Sequence, residues 1–311
     1  MNSATALRLL ALMPEREPTL RVTPAPLLRA LAQRVDLRFS PVGATIEERI
    51  ERTFPDARPD WLLLPDHDQL DPLPPDLARC AIPRCVWIDD AYVAPAERAR
   101  WLLAVRPALS LFTQWSWARF YRRLPLGRPL WLPHAVDPQV FHPGSTVDVT
   151  RPIDLLLFGK IDPRIYPFRA RLARLLARIR GLRAEIVPHP GYGQGAQPEA
   201  ALADLLRSAQ VALVDGTRHH LLLRRYFEVP ACGTLALGPP PVDAADRVSG
   251  LLTPLDPRES DAQLLRHLHA AVASARRHPT GRLAAARHVL REETLDARAQ
   301  VLERALRARA S

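Results

Sequence analysis

With 311 residues, the chain is longer than one ordinary core supports and fits two domains, each able to bury a substantial interior. Its net charge of +10 would suit a nucleic-acid partner, but the basic residues are almost all arginines scattered among acids, which argues against dedicated nucleic-acid binding. Hydrophobic residues make up 47% of the chain, yet no apolar run approaches the ~20 residues of a membrane-spanning helix, so no transmembrane segment is expected.

Short apolar runs alternate with helical patterns along the first half, which predicts a parallel sheet wrapped by helices. The predicted strands are 7–13, 35–40, 60–66, 84–89, 109–114 and 129–133. A helix is predicted over 24–34, where Thr23 is a suitable N-cap and Pro24 fits the first turn.

A second series of the same kind follows. Its predicted elements are a strand at 153–160, a helix at 166–181, a strand at 182–192, a helix at 198–210, a strand at 211–215, a helix and a strand within 221–241, and helices over 258–311. Gly233 is placed to end the helix of 221–241. Because the polar segment 143–151 separates the two series, we predict an α/β fold of two Rossmann-like domains, 1–146 and 147–311.

The cysteines and the N-terminal segment indicate the cellular compartment in which the protein is expected. Cys80, Cys85 and Cys232 are an odd number without metal-ligand spacing, which fits a reduced environment. The N-terminal apolar run has no basic stretch before it, so it is interpreted as a first strand and not as a signal peptide. A cytoplasmic protein is expected.

One carboxylate, Glu228, stands in the otherwise apolar pattern LLLRRYFEVPACGTLALGPPP (221–241), after a predicted strand and the loop Gly216–His220. Such loops and the helix N-termini after them collect anions, because free N–H groups and the helix dipole favour negative charge. The loop therefore suits a diphosphate, and Glu228 suits two vicinal hydroxyls, as on a ribose. The alternative is a surface pair of Glu228 with Arg224, four residues earlier.

The segment RRYFEVPACGTLAL (224–237) resembles the C-terminal signature of GT-B glycosyltransferases of the CgeB-like, spore-maturation group. Other segments resemble that group in the same order: WLPHAVDPQVFHP (131–143), IDLLLFGKIDPRIYPFRARLARLL (153–176), VPHPGYG (187–193) and ETLDARAQVLERAL (293–306). The likeness covers roughly 110–311, whereas the N-terminal third agrees in its strand–helix rhythm alone.

The resemblance implies a GT-B fold, two Rossmann-like domains facing an interdomain cleft, with the last helix, about 290–309, packed back on the first domain. It implies a glycosyltransferase that moves a sugar from a nucleotide-sugar donor to an unknown acceptor. No metal or other cofactor is implied, and a nucleoside diphosphate is the product. The alternative is a catalytically degenerate binding or scaffold protein, because the Glu-x7-Glu motif of the wider retaining glycosyltransferase superfamily, counted back from Glu228, has His220 at its first position.

The resemblance also assigns donor-binding residues. They are Lys160, Arg164, His189, Tyr192, Gly216, His219, His220, Arg224, Arg225 and Glu228. Glu228 would bind the ribose, and the Gly216–His220 loop with an arginine at 224 or 225 would meet the diphosphate. Lys160 and Arg164 would neutralise the leaving phosphates. His189 and Tyr192 would lie near the nucleobase, with capping or packing as the alternative for His189.

The first domain is expected to bind the acceptor and supply any general base. The candidates at strand ends are His67, Asp89 and Asp90, with Asp90 favoured by the resemblance. For one of the two aspartates the alternative role is capping the next helix. The Asp-x-Asp of Asp66 and Asp68 also resembles the metal-binding motif of GT-A glycosyltransferases.

Trp115 and Trp117 lie too close in sequence to share one helix face. At least one of them is therefore predicted to be exposed or to line a cleft, with interdomain packing as the alternative.

Overall fold

The chain folds into two compact units in the computed structural model, Met1–Pro133 with Leu295–Ser311, and His134–Thr294. The structure describes residues 6–12, 25–40, 45–66, 73–124, 126–144, 151–187 and 199–310. Each unit contains one sheet whose strands are all parallel. The α/β class predicted from the sequence is therefore confirmed.

The first sheet has the strand order β2-β1-β3-β4-β5-β6. Its strands are β1 (Arg8–Ala11), β2 (Asp36–Phe39), β3 (Trp61–Leu64), β4 (Arg84–Ile88), β5 (Leu109–Phe112) and β6 (Arg128–Trp131). The second sheet has the order β11-β10-β9-β7-β8. Its strands are β7 (Ile153–Phe158), β8 (Ala184–Val187), β9 (Ala209–Leu213), β10 (Leu235–Gly238) and β11 (Leu252–Pro254). The sequence did not predict β11, which has only three residues.

Helices connect the strands. In chain order they are α1 (Ala25–Ala32), α2 (Ile46–Thr53), α3 (Pro95–Val105), α4 (Trp115–Tyr121), α5 (Pro167–Leu176), α6 (Glu199–Arg207), α7 (Arg225–Ala231), α8 (Asp261–Arg277), α9 (Pro279–Glu292) and α10 (Leu295–Ala310), with a 3-10 turn at Leu77–Arg79. None of the helices in the described part of the chain is long and apolar enough to cross a membrane.

Both faces of the first sheet are buried, which explains why β3 reads as an uninterrupted apolar run. On β1, Leu10 contributes to a core with α2, α3 and α4. Its neighbour Leu9 points to the opposite face and joins a core with α1 and α10. In the second unit, α5 and α8 pack their apolar sides on β7 and β9. The carboxyl ends of the strands in each sheet thus lie at one edge, where loops bring polar side chains together.

The units divide between residues 133 and 134, before the boundary that the sequence placed after 146. Residues on the C-terminal side of that division are tied to the second unit, because Arg207 of α6 donates Nη1 to the carbonyls of Val140 and His142 at 3.3 and 3.1 Å. A proline- and glycine-bearing segment resembles a linker in sequence even where the residues before it are packed.

The last helix, α10, belongs to the first unit. Leu302 and Leu306 are fully buried in the core shared with α1. Arg34 reaches from the end of α1 to Glu303 at 2.8 Å and to Asp296 at 3.2 Å. Without α10, the apolar side of α1 and one face of the sheet would be open to water.

We predict that Leu302→Ala loosens the first unit selectively, because the cavity left by a buried leucine costs about 2–5 kcal/mol. Hydrogen exchange should accelerate in peptides covering β1, β3 and α1 and stay unchanged in peptides covering β7 and β9. The exposed Arg304→Ala on the same helix is the control and should leave all peptides unchanged. Equal acceleration in both units would contradict the assignment of α10.

Candidate functional site

The carboxyl edge of the second sheet holds a buried ion pair. Asp215 follows β9, and Arg169 projects from the first turn of α5, the helix that follows β7. Both side chains are almost completely buried. The guanidinium donates Nε and Nη2 to Asp215 Oδ1 at 2.8 and 2.6 Å, and Nη1 to the carbonyl of Lys160 at 2.8 Å. It also lies 3.8 Å from the ring centre of Tyr166. These contacts fix the turn after β7 relative to the end of β9.

A second arginine joins this pair from α7. Arg225 donates Nη1 to the carbonyl of Phe158, the last residue of β7, at 3.0 Å. The same nitrogen lies 3.6 Å from Asp215 Oδ1. Gly159 has a φ of +100°, and a Cβ there would lie 2.7 Å from Arg225 Nη2 and 3.2 Å from Arg169 Nη1. The glycine therefore provides the close approach that brings two guanidinium groups to one strand end.

The cluster of Arg169, Asp215 and Arg225 contains more positive than negative charge. Burial, and then the charge of Arg225, lower the pKa of Arg169 to about 10, so it remains protonated at neutral pH. Asp215 Oδ2 is buried without a hydrogen-bond partner, because both arginines approach Oδ1. Two guanidiniums beside one carboxylate leave a net positive field, which attracts an anion to this edge of the sheet.

Glu228 lies in the first turn of α7 and is buried. Arg224 Nε is 3.1 Å from its Oε1, and Arg224 Nη2 is 2.6 Å from Glu199 Oε1. The pair with Arg224 considered from the sequence therefore exists, but the carboxylate is not a surface group. Burial raises the pKa of Glu228, whereas the charge of Arg224 lowers it. Arg224 therefore orients the buried carboxylate of Glu228 through Oε1.

The helix that carries Glu228 begins later than the sequence indicated, because α7 starts at Arg225. Residues 221–223 are irregular and Arg224 is the N-cap, so Glu228 lies in the first turn of the helix. Gly233 has a φ of +65° just after the helix end, as expected of a residue that terminates a helix.

The Gly216–His220 loop is a tight turn whose amide groups are largely used within the protein. Arg218 donates its N–H to the carbonyl of Ile165 at 2.7 Å. The N–H groups of His219 and His220 bond to Thr217, at 3.2 and 2.8 Å. The amide cradle expected from the sequence is therefore not available at these three positions. Burial and the charge of Arg218 lower the pKa of His219, while His220 adopts a left-handed φ of +52°.

Lys160 and Arg164 lie on the outer side of the turn after β7. Arg164 is 88% exposed in its side chain, and its Nε lies 3.4 Å from Asp162 Oδ1. Lys160 Nζ lies 3.8 Å from the other oxygen of Asp162. Both cations therefore stand at the surface beside one carboxylate, while the buried guanidiniums are those of Arg169 and Arg225.

The first unit has a comparable buried pair at the carboxyl ends of β3 and β4. Asp66 accepts Nε and Nη2 of Arg98 at 2.9 Å each, and its Oδ2 also accepts the N–H of Asp89 at 3.0 Å. Asp89 Oδ1 accepts Thr113 Oγ1 at 2.7 Å and the N–H of Asp90 at 3.0 Å. Because Arg98 occupies both oxygens of Asp66, that carboxylate is engaged as an ion-pair partner. Among the described residues, no group of three or more potential ligands could hold a metal ion.

Asp90 follows Asp89 in the turn after β4. It has a left-handed φ of +41°. Burial, and then the nearby charge of Asp89, raise its pKa to about 7. Neither Asp89 nor Asp90 caps α3, because the N-cap is Ala94 and no side chain bonds the helix start. The capping role considered from the sequence is therefore wrong for both, and Asp89 instead holds the turn after β4.

Several residues of these sites carried no sequence signal. Arg98 and Arg169 stand among other arginines in the sequence, and Asp215 ends a predicted strand, so that only the fold reveals the burial of these charged side chains. Gln114 is fully buried after β5, and its carboxamide has no hydrogen-bond partner among the described residues. Trp115 and Trp117 are both half-buried and pack against the core of the first unit. The predicted site residues His67, His189 and Tyr192, together with Asp68, lie outside the described residues.

Comparison with known proteins gives no match to any protein-family model and no match among curated proteins. Solved structures do match over the whole length. A sucrose-phosphate synthase from Thermosynechococcus elongatus has a TM-score of 0.60 at 14% identity, with 97% of this chain and 99% of that chain covered. A glycosyltransferase from Rickettsia africae has a TM-score of 0.63 at 9% identity, with 98% of both chains covered.

A third structure, from E. coli, is described as trehalose-6-phosphate with UDP-2-fluoro glucose bound. Its TM-score is 0.59 at 10% identity, with 96% of this chain and 98% of that chain covered. The chain has the GT-B fold. The two parallel sheets and the full-length likenesses confirm the fold predicted from the sequence.

We predict that Asp215→Asn destabilises the second unit by about 3–5 kcal/mol, because it leaves buried guanidinium charge uncompensated. Thermal or urea unfolding measures the effect. Asp261→Asn is the matched control, since Asp261 pairs with Arg171 at the surface with 61% of its side chain exposed, and a surface pair contributes about 0–1 kcal/mol. Equal effects of the two substitutions would contradict a special role of the buried pair.

The stability of the fold should depend on pH through Asp90. Because the folded state raises the pKa of Asp90 to about 7, its stabilising contribution is complete below the unfolded value of about 4 and is lost as pH rises through about 7. Asp90→Asn should therefore gain stability relative to wild type over that range. Asp256→Asn should differ in the opposite direction and at lower pH, because Arg258 lowers the pKa of Asp256 to about 2. The wild type should lose stability relative to this variant as pH falls from about 4 through about 2. Parallel curves for wild type and Asp90→Asn would show that Asp90 is not perturbed.

Proposed function

We propose that the chain is a glycosyltransferase that transfers a sugar from a nucleotide-sugar donor to an acceptor hydroxyl. The observation that carries the proposal is the carboxyl edge of the second sheet, where a buried carboxylate and two guanidiniums stand at the ends of β7 and β9. The fold supports it, since matched structures include a sucrose-phosphate synthase and a protein solved with UDP-2-fluoro glucose. The sequence resemblance to the CgeB-like group supports the same activity, and we propose that subgroup.

In the donor site, we assign the ribose to Glu228 and the diphosphate to Arg225. Glu228 Oε2 accepts from the two vicinal hydroxyls, while Arg224 orients the carboxylate through Oε1. Arg225 is held by Asp215 and the carbonyl of Phe158, so its guanidinium is positioned before a ligand arrives. Preorganised cations stabilise the negative charge that develops on the departing nucleoside diphosphate.

Further residues of the donor site are assigned by the resemblance. Lys160 and Arg164 are surface cations that add to the field at the phosphates. His219 and His220 lie in the loop after β9, and His189 and Tyr192 are assigned to the nucleobase. Because guanidinium and ammonium groups supply the positive charge, we propose a reaction that needs neither a metal nor another cofactor.

The acceptor is assigned to the first unit. A carboxylate whose pKa is near 7 is matched to accept a proton at neutral pH, and Asp90 has this property. Asp89 is committed to Thr113 and the amide of Asp90, so it positions the turn and Asp90 is the proposed base. His67, which lies outside the described residues, is the other candidate from the sequence.

A second candidate, a nucleotide-binding protein without transferase activity, is favoured by the loop after β9. His220 occupies the position where the family motif has its first acid, and the amides of Arg218, His219 and His220 are already bonded. Binding without turnover would be the signature of this alternative.

Thermal unfolding against a panel of nucleoside diphosphates tests the donor site. The correct nucleotide should raise the melting temperature most, since a ligand at about 100 times its Kd stabilises the native state by about 2.7 kcal/mol. Glu228→Gln should weaken the binding of that nucleotide about ten- to a hundredfold, because a hydrogen bond to a charged group contributes about 1.5–3 kcal/mol.

Glu199→Gln is the control for this test, because Glu199 bonds the same Arg224 but stands at the surface. It should change the affinity much less than Glu228→Gln. If no nucleotide raises the melting temperature, the donor-site assignment is wrong. If a nucleotide raises it but no nucleotide sugar is turned over, the chain is a binding protein.

A further inference from the structure

An exposed group of aromatic and basic side chains lies on the first unit, on α4 and on the turn after β4. Phe120 has 58% of its surface exposed and Val93 has 47%, which is unusual for large apolar residues. We name this surface the aromatic–arginine face. Its residues are Tyr92, Val93, Trp117, Arg119, Phe120, Arg122 and Arg123.

The apolar part of the face is one continuous cluster. The rings of Trp117 and Phe120 meet edge to face with centroids 5.3 Å apart. Tyr92 lies 6.4 Å from Trp117, which joins the turn after β4 to α4. Tyr121, on the inner side of the helix, is buried and packs edge to face on Phe120 at 5.1 Å. The exposed rings are thus anchored by the core and present a rigid apolar surface to their surroundings.

The basic part of the face is not neutralised. Arg119, Arg122 and Arg123 are exposed, and within the described part of the chain none of them makes an ion pair or a side-chain hydrogen bond. One acid, Glu97, occurs in the whole segment 91–124. Arg119 lies on α4 and Arg123 lies two residues after its end, so the two arginines stand on either side of Phe120 in the sequence.

This combination matches the interface of an anionic bilayer. Aromatic rings favour the headgroup level, and arginines attract anionic headgroups. Apolar side chains between cations add buried area to the electrostatic attraction. A single-stranded nucleic acid would need open ring faces for base stacking, whereas Trp117 and Phe120 are packed against each other.

We propose that the aromatic–arginine face docks the first unit on an anionic lipid surface. The face begins at the carboxyl ends of β4 and β5, beside Asp89 and Asp90. An amphiphilic acceptor held in the bilayer would therefore present its hydroxyl close to the proposed base. This assignment of the acceptor class rests on the proposed function, whereas binding of the face to lipid does not.

Co-sedimentation with vesicles tests the proposal. The full-length protein should sediment with vesicles of phosphatidylcholine and phosphatidylserine mixed at about two to one, remain in the supernatant with phosphatidylcholine alone, and be released by salt. Phe120→Ser and the double variant Arg119→Ala/Arg123→Ala should each reduce the bound fraction at least about fivefold.

The matched control is Arg174→Ala/Arg178→Ala, which removes the same charge at the same spacing from exposed positions in the second unit, one on α5 and one just after its end. It should bind vesicles as wild type does, and Val242→Ser controls for loss of an exposed apolar side chain. Thermal unfolding verifies that all variants are folded.

Absence of binding to the mixed vesicles overturns the proposal. An equal loss in the control variant also overturns it, because the attraction would then come from total charge. If the protein does not bind vesicles but retains single-stranded DNA at physiological salt, and the same variants lose that DNA binding, the face binds nucleic acid instead. Nucleotide binding in the second unit is measured separately, so failure of the lipid proposal leaves the donor site unaffected.

Discussion

The pairing of Arg169 with Asp215 is the interaction on which the candidate donor site depends. It lies at the edge where β7 and β9 end, and it reaches the carbonyl of Lys160 as well. Arg225 enters from α7 and shares the same carboxylate oxygen. A buried charge without a partner is costly, so the positions of two strand ends and two helices are linked by one carboxylate. The same linkage leaves a guanidinium oriented for an anion.

The first unit repeats this design with different residues. Arg98 of α3 pairs with Asp66 at the end of β3 and also donates to the carbonyls of Asp89, Asp90 and Val93. In both units an arginine from a helix that follows one strand is paired with an aspartate at the end of a neighbouring strand. The charged groups beside the pair differ, however. In the second unit a second cation, Arg225, lies next to the pair, and in the first unit two further carboxylates, Asp89 and Asp90, lie next to it.

That difference gives each edge a distinct chemistry. Excess positive charge favours a diphosphate, whereas neighbouring carboxylates out of water raise the pKa of Asp90 into the range of a general base. The transferase reaction proposed above would use both functions. The positive charge lies on one sheet and the carboxylates on the other because the sequence places different charged residues after the strands of each sheet.

Periodicity and apolar runs were sufficient to predict the two parallel sheets and most strands, because strands that are buried on both faces consist of nearly continuous apolar residues, as in WLLL and DLLLF. Strand β11 was missed because three residues give no period. Glu228 stood out because an acid in an apolar segment is conspicuous. Arg169 did not, since one arginine among many gives no indication that it is buried, and its partner Asp215 is 46 residues away.

The division between units and the loop after β9 were harder to predict for related reasons. Composition marks polar segments, but it does not show that residues before such a segment pack on α6. Likewise, a glycine-containing loop resembles an anion cradle, whereas its amides are donated to Ile165 and Thr217 in the folded chain. Hydrogen bonds between distant residues decide both features, and local sequence does not specify them.

The central claim is that the carboxyl edge of the second sheet binds a nucleoside diphosphate. Hydrogen exchange, measured with and without the nucleoside diphosphate that stabilises the protein most, tests it directly. The account predicts slower exchange in peptides covering 158–169 and 214–231, which contain the end of β7, the loop directly after β9 and the whole of α7. Unchanged exchange in both peptides, with protection appearing elsewhere in the chain, would contradict it.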